Sequence, residues 1–465
     1  MNRSQQYDVI IVGAGPAGIF AALELLHVNK GLRVLLIEKG RDIDHRDCVS
    51  KENGSGCINC SPCSILCGWG GAGAFSDGKI TLSTEVGGML GDYIGEVELK
   101  ELIKYVDDIY VRFGGPQKVY GMEEDDAIRN IQRKAIFAGL KLIPAPIRHL
   151  GTGRCQEILE RMRDHLLSQG VEIRTNSGIK NLIAENNVIS GVETEDGQRI
   201  NGKHVIAAPG REGAEWLTEQ AQKHGIETAV NPVDIGVRVE LPAAVMEHLT
   251  NVIYESKFIY YSRSFDDKAR TFCMNPYGEV VAENNSGLIT VNGHSHAHKK
   301  TNNTNFAILV SKTFTEPFKE PIAYGKYVAR LANLLGGGVI VQRLGDLIKG
   351  QRTDQDRLSK CMVEPTLKDA TPGDLSLVFP YRHLMSIVEM LQALDNIAPG
   401  VYSKHTLLYG VEVKFYSSRL ELNNELETRI TNLFAAGDGA GVTRGLVQAS
   451  AAGIVAARAI LKRAG

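Results

Sequence analysis

Apolar residues crowd the first forty positions in two short runs. Residues 7–13 (YDVIIVG) are almost continuously hydrophobic, as a strand buried on both faces requires. A helical spacing follows through Ile19, Ala22, Leu23 and Leu26, and residues 33–38 (RVLLIE) read as a second buried strand. Further strands are expected at 171–176 and 204–210. Two alternating runs, 189–195 and 198–201, flank Asp196-Gly197, a hairpin turn signal. Residues 97–113 and 123–138 carry helical periodicity, broken by Gly114-Gly115-Pro116. Strand-like alternation returns at 234–241 and 258–262, and helices are expected near 319–335 and 381–394. A last apolar strand at 430–436 runs into glycines and a helix rich in small residues.

The first run gains meaning from what joins its elements. Gly13-Ala14-Gly15-Pro16-Ala17-Gly18 stands between strand and helix, and Glu38 closes the second strand 20 residues after Gly18, followed by Lys39. Strand, glycine turn, helix, strand and acid in this order make a dinucleotide-binding unit. Gly13 allows the turn, Gly15 lets a pyrophosphate approach, and Gly18 lets helix and strand pack. The helix N-terminus offers free N–H groups to the phosphates, and Glu38 is expected to accept from ribose hydroxyls.

At the other end, ITNLFAAGDGAG (430–441) resembles the second FAD motif of glutathione-reductase-type flavoproteins. The resemblance implies that Gly437 and Asp438 meet the ribityl chain and that the backbone from Gly441 to Gly445 faces the pyrimidine ring. HVIAAPG (204–210) is similar to a third element of those proteins. A second GxGxxG is missing, since Gly336-Gly337-Gly338 has no strand before it. That argues against an architecture with two dinucleotide domains.

Composition narrows the class. The chain has 465 residues, 43% hydrophobic, and a net charge of −2, so two or three domains are expected and nucleic acid is not an expected partner. No apolar stretch reaches the ~18–20 residues of a membrane span, and no signal-peptide pattern opens the chain. Five of the eight cysteines lie between 48 and 67. Such crowding suits metal or redox chemistry in a reducing compartment, and a cytoplasmic location is the expectation.

Those cysteines sit in CINCSPCSILCGWGGAGAFSDGK (57–79). Cys57, Cys60, Cys63 and Cys67 follow the C-x2-C-x2-C-x3-C spacing of a [4Fe–4S] run, with Cys48 as another candidate fourth ligand. Gly68, not proline, follows Cys67, and no second run is present. Zinc and a metal-free thiol loop are the alternatives. Gly70, Gly71, Ala72 and Gly73 form a backbone able to lie flat on a cofactor, with Ser76, Asp77 and Lys79 just beyond. The alternation of His294, His296 and His298 reads as an exposed loop more readily than as a metal site.

GWGGAGAFSDGK, GREG (210–213), TFCMNPYGEVV (271–281), TLLYGVEVKFYSSRLE (406–421) and LFAAGDGAGVTRGLVQASAAG (433–453) together resemble a poorly characterised bacterial family of FAD-dependent dehydrogenases near the fumarate-reductase-like flavoproteins. The resemblance covers nearly the whole chain. It implies an α/β fold with a Rossmann-like, discontinuous FAD-binding domain (1–90, 141–225 and 405–465). A small helical insert (91–140) and an inserted mixed α+β substrate domain (226–404) complete it. The resemblance does not deliver a substrate; the expected function is hydride transfer between flavin N5 and a C–C or C–N bond of a small organic substrate. NAD(P)H or a ferredoxin-type carrier would exchange electrons. The resemblance sets 406–419 beside the flavin, making Tyr409, Glu412 and Lys414 candidates for proton transfer, with Tyr416 and Arg419 nearby. Alternation puts Glu412, Lys414 and Tyr416 on one strand face, where a solvated ion pair is the competing reading. Arg444 is the candidate to bind a carboxylate or stabilise reduced flavin. The alternatives are an Fe–S/FAD reductase fed through Cys57–Cys67 and, of another class, an FAD-binding RNA- or protein-modifying factor.

Overall fold

A computed structural model describes residues 6–48, 60–76, 78–121, 126–143, 145–151, 153–285, 287–295, 300–314, 318 and 320–464. The chain divides into two compact units. The first comprises residues 1–118, 148–231 and 417–465, and the second 119–147 and 232–416.

The first unit is built on a mixed sheet. Its strand order is Glu172–Arg174, Val34–Ile37, Tyr7–Val12, Arg199–Ala207, Val188–Thr194 and Ile179–Glu185, and Leu433–Ala435 also pairs with Arg199–Ala207. The Tyr7–Val12 strand is parallel to both neighbours, and its residues from Val9 to Ile11 are fully buried. This explains the unbroken apolar run, since strands covered on both faces have no polar side to present. Arg199–Ala207 changes role along its length. Its start pairs antiparallel with Val188–Thr194, and its end pairs parallel with Tyr7–Val12 and Leu433–Ala435. A hairpin not expected from the sequence joins Ile179–Glu185 to Val188–Thr194 through Asn186-Asn187, both at positive φ. Two asparagines between apolar-rich runs were its legible signal.

Against this sheet the Pro16–Val28 helix packs on Leu446–Ala464. A Cβ on Gly453 would stand 2.0 Å from the Ala17 carbonyl oxygen, so only glycine allows this approach.

The second unit holds an eight-stranded sheet. Its order is Thr371–Pro372, Ile340–Arg343, Leu407–Lys414, Val233–Pro242, Asn303–Lys312, Lys268–Asn275, Lys257–Tyr261 and Leu140–Ile143. All pairs are antiparallel except the first. Ile235, Val237, Val239 and Leu241 join an apolar core with residues of the Tyr381–Asp395 helix. The alternate positions Asp234, Arg238 and Glu240 are polar and equally buried.

Two domain boundaries differ from expectation. The segment 91–140 is not one insert. The Glu96–Arg112 helix buries Leu99, Leu102, Ile103 and Val106 in the first unit's core, whereas Asp126–Phe137 buries Ile128, Ile131 and Ala135 in the second's. Residues 405–416 do not close the first unit, because Leu407–Lys414 lies between two strands of the second unit's sheet. An amphipathic pattern specifies that a face is buried, not which core receives it.

Candidate functional site

Gly13 (φ 104°) turns the chain out of the first strand, and a Cβ there would meet the Ala208 carbonyl oxygen at 2.2 Å. Pro16 opens the helix, with no side chain capping its N-terminus. A Cβ on Gly15 would have nothing within 4 Å, so space stands open at the place where helix N–H groups are unsatisfied.

Glu38 is buried, and its carboxylate accepts three main-chain N–H groups. Ala14 donates to Oε2 at 2.8 Å; Gly40 and Gly68 donate to Oε1 at 2.8 and 2.9 Å. The acid therefore joins the glycine turn to the end of the cysteine segment. Gly70 N adds a bond to the Ala14 carbonyl (2.8 Å), and Trp69 N bonds the Arg41 carbonyl (3.0 Å). The stretch Gly70–Gly73 thus lies along the dinucleotide turn. Ser76 ends it, its Oγ donating to the Gly73 carbonyl at 2.8 Å and accepting from Gly78 N at 3.2 Å.

Arg46 underlies the same loop and has no counterpart in the sequence reading. It is fully buried and, among the described residues, donates to main-chain carbonyls: Ser64 (2.9 Å), Ile65 (2.8 Å), Trp69 (2.5 Å) and Gly71 (2.9 Å). Its guanidinium also lies 4.9 Å from the Phe75 ring centre. Burial lowers its pKa to about 10, against the opposing pull of Glu38, Cys67 and Cys63. Trp69, equally buried, donates its indole N–H to the Leu159 carbonyl at 2.8 Å.

In the second glycine turn, burial raises the pKa of Asp438, opposed by Arg211, Gly445 N–H, Thr443 and Arg444. Its hydrogen bonds are long, 3.2 Å from Thr443 Oγ1 and 3.4 Å from Gly445 N. A desolvated carboxylate so weakly satisfied suits a hydroxyl-rich ligand. Arg444 is half-buried, just ahead of the Leu446–Ala464 helix. FAD fits these residues. The Gly13–Gly18 turn would take the pyrophosphate, and Asp438 the ribityl hydroxyls.

One face of the second unit's sheet carries a set of buried ionisable groups. Arg238 and Glu412 form a two-pronged pair at 2.8 Å, both side chains with zero exposure. Arg238 also bonds the Cys273 carbonyl (2.7 Å) and Asn292 (2.8 Å). Lys414 lies 3.0 Å from Glu412. Tyr409 donates to Glu240 at 2.5 Å; burial, then the Glu240 charge, push its pKa well above the ordinary value. Asp234 accepts from Arg270 (2.6 Å), Ser311 (2.5 Å) and Tyr416.

Residues 232–415 match the family model described as FAD-dependent protein, C-terminal domain-like. Residues 7–56 and 145–242 match that of pyridine nucleotide-disulphide oxidoreductase. The chain is an FAD-dependent oxidoreductase. A relative of this oxidoreductase is an uncharacterised protein of Clostridium beijerinckii, 26% identical over 98% of this chain and 80% of the relative. Similar solved structures include L-proline dehydrogenase from P. horikoshii (15% identity, TM-score 0.42, 99% of this chain and 94% of that one). Others are the 3-ketosteroid-Δ4-(5α)-dehydrogenase from Rhodococcus jostii RHA1 (13%, 0.44, 99% and 98%) and E. coli quinol fumarate reductase (13%, 0.37, 99% and 70%).

The expected [4Fe–4S] cluster in the oxidoreductase is not supported. Cys60 is exposed, Cys63 half-buried and Cys67 buried, and burial raises the Cys67 pKa to about 11 despite Lys39. Among the described residues, no group of three or more His, Cys, Asp and Glu side chains is placed to hold a metal ion. Cys57, Asp77, His296 and His298 lie outside the described residues. The expected proton-handling group divides: Glu412 and Lys414 are adjacent, while Tyr409 bonds Glu240. Among the described residues, no helix is long and apolar enough to cross a membrane.

Proposed function

We propose that this oxidoreductase exchanges a hydride between the flavin and a C–C or C–N bond of a small organic substrate. Bound FAD supplies hydride acceptance and donation at N5. The observation that carries the reading is the second unit itself. It has a largely antiparallel sheet with Asp234, Arg238, Glu240 and Glu412 buried on one face. Such a unit serves substrate, so electrons are exchanged with NAD(P)H or a ferredoxin-type carrier by transient docking.

Lys414 Nζ, 18% exposed and held by the fully buried Glu412, is the proposed proton donor or acceptor toward substrate. Glu412 is fastened by Arg238 and positions that ammonium. Tyr409 and Glu240 anchor the strand behind it. Arg444, with the following helix N-terminus, favours negative charge near Asp438.

The test is anaerobic purification followed by flavin, iron and sulfide analysis, then bleaching of the flavin band by NADH, NADPH or reduced ferredoxin. One flavin per chain, reduced by one of these donors and reoxidised by an organic acceptor, supports the proposal. Protein that binds no flavin under reconstitution overturns it. Stoichiometric iron and sulfide would return the cysteine cluster to the electron path.

A further inference from the structure

Three parallel strands of the first unit end level with one another. Val12 pairs with Ala207, and Ala207 pairs with Ala435, so Tyr7–Val12, Arg199–Ala207 and Leu433–Ala435 deliver their turns side by side. Ligands of such sheets bind outside the carboxyl ends of the strands. The outer two turns are Gly13–Gly18, which would take the pyrophosphate, and Gly437–Gly441, whose Asp438 would take the ribityl hydroxyls. Residues 208–213 (APGREG) form the turn between them.

This middle turn touches both of its neighbours. A Cβ on Gly13 would meet the Ala208 carbonyl oxygen at 2.2 Å, and one on Gly439 would meet the Gly210 carbonyl oxygen at 2.5 Å. Lys39, after the second strand, reaches the Glu212 carbonyl at 3.5 Å. Beside these close approaches, each of the three turns has an open position. A Cβ on Gly15, on Gly210 or on Gly445 would have nothing within 4 Å. A ligand running from the first turn to Asp438 passes the open side of the middle turn, where Arg211 follows Gly210.

The fold does not use Arg211. The residue is exposed, and among the described residues its side chain makes no hydrogen bond or ion pair. Its charge nonetheless acts on Asp438, which accepts instead from Thr443 and Gly445. A guanidinium that lies near a buried carboxylate without bonding it keeps its donors for another partner.

The first turn lacks the cation that a pyrophosphate calls for. Residues 13–18 (GAGPAG) carry no charge, and Pro16 removes one N–H from the start of the helix. The helix dipole offers only about half an elementary charge, less than a pyrophosphate carries.

We propose that Arg211 binds the pyrophosphate of FAD, its planar fork taking phosphate oxygens across the middle turn. The residue thereby favours a phosphate-bearing flavin over plain riboflavin. This rests on FAD binding at the glycine turns and not on hydride transfer.

The test is calorimetric titration of the flavin-free full chain with FAD and with ADP, which has the pyrophosphate but no ribityl chain. Arg211→Gln should weaken both ligands ~30-fold, and Arg211→Lys ~5-fold, because the charge remains and the fork is lost. The fall of FAD affinity from low to high salt should also be shallower in Arg211→Gln, since a screened contact is gone. Lys223→Gln, an exposed cation on the Ala214–Lys223 helix, should leave both affinities unchanged. Equal FAD affinity in wild type and Arg211→Gln would overturn the proposal and leave FAD at the glycine turns. A loss for FAD with ADP unaffected would overturn it too, placing Arg211 at the ribityl chain. A loss for both ligands with the wild-type salt slope and a lower melting temperature of flavin-free protein would assign Arg211 to the fold, and the proposal would fail. Should ADP bind too weakly to titrate, the salt slope for FAD decides alone. Wild-type protein that binds neither ligand overturns the proposal together with FAD binding itself.

Discussion

Glu38 accepts the main-chain N–H of Gly68 at 2.9 Å on one oxygen and that of Ala14 at 2.8 Å on the other. One buried carboxylate thus fastens the cysteine segment's exit to the dinucleotide turn. Glu38→Gln would turn an amide N–H2 toward at least one of these donors. We expect a loss of about 1–3 kcal/mol in stability, with FAD affinity falling in step as the turn loosens. Urea unfolding with flavin-fluorescence titration checks both, and unchanged values in both would remove Glu38 from this role.

Arg46 holds four carbonyls of the 64–71 segment. Arg46→Met fills similar volume but leaves those acceptors without a donor. The expected cost is about 3–5 kcal/mol, the range for breaking a buried charged network, with faster labelling of Cys63 and Cys67 by a maleimide. Arg46→Lys should rescue only part, since an ammonium cannot span all four carbonyls. Wild-type labelling rates in Arg46→Met would contradict the clamp.

The two glycines of the first turn should separate fold from cofactor. Gly15 faces open space, so Gly15→Val should keep the melting temperature of the flavin-free protein nearly unchanged while weakening FAD binding at least ~100-fold, as the pyrophosphate loses its close approach. Gly13→Val meets the Ala208 carbonyl at a positive φ and should unfold the domain instead. Equal flavin affinity in Gly15→Val would mean the phosphates lie elsewhere.

His383 is 3% exposed, and neither ring nitrogen has a hydrogen-bond partner among the described residues. Burial lowers its pKa to about 4, helped by Lys312 and Arg382 and opposed by Asp267; the Tyr324 ring lies 6.2 Å away. The unfolded chain takes up a proton near pH 6.5, and the folded chain only near pH 4. Stability is therefore full above pH 6.5 and falls as pH drops toward 4, by on the order of 3 kcal/mol. Asp346, held near a pKa of about 2 by Arg343, Thr353 and Arg357 despite its burial, adds its loss only below that window. His383→Phe should flatten the unfolding midpoint between pH 7 and 5. A slope equal to wild type would place the titration on another group.

The sequence by itself determined the glycine turn after the first strand, the place of Glu38 at the end of the second, and the buried parallel strands. Each is a contiguous pattern in which spacing is the physical constraint. A glycine that must turn and an acid that must follow a strand are legible without knowing what packs on them. Arg46 was not legible, because its partners are carbonyls 18–25 residues away that every residue type supplies. Tyr409 was legible as a candidate but not its partner Glu240, 169 residues distant. Alternation put Glu412, Lys414 and Tyr416 on one face. Only sheet pairing decided that Arg238 seals Glu412 and that Lys414 keeps access. Strand order and core assignment arise from long-range packing, and neither leaves a local mark in the chain.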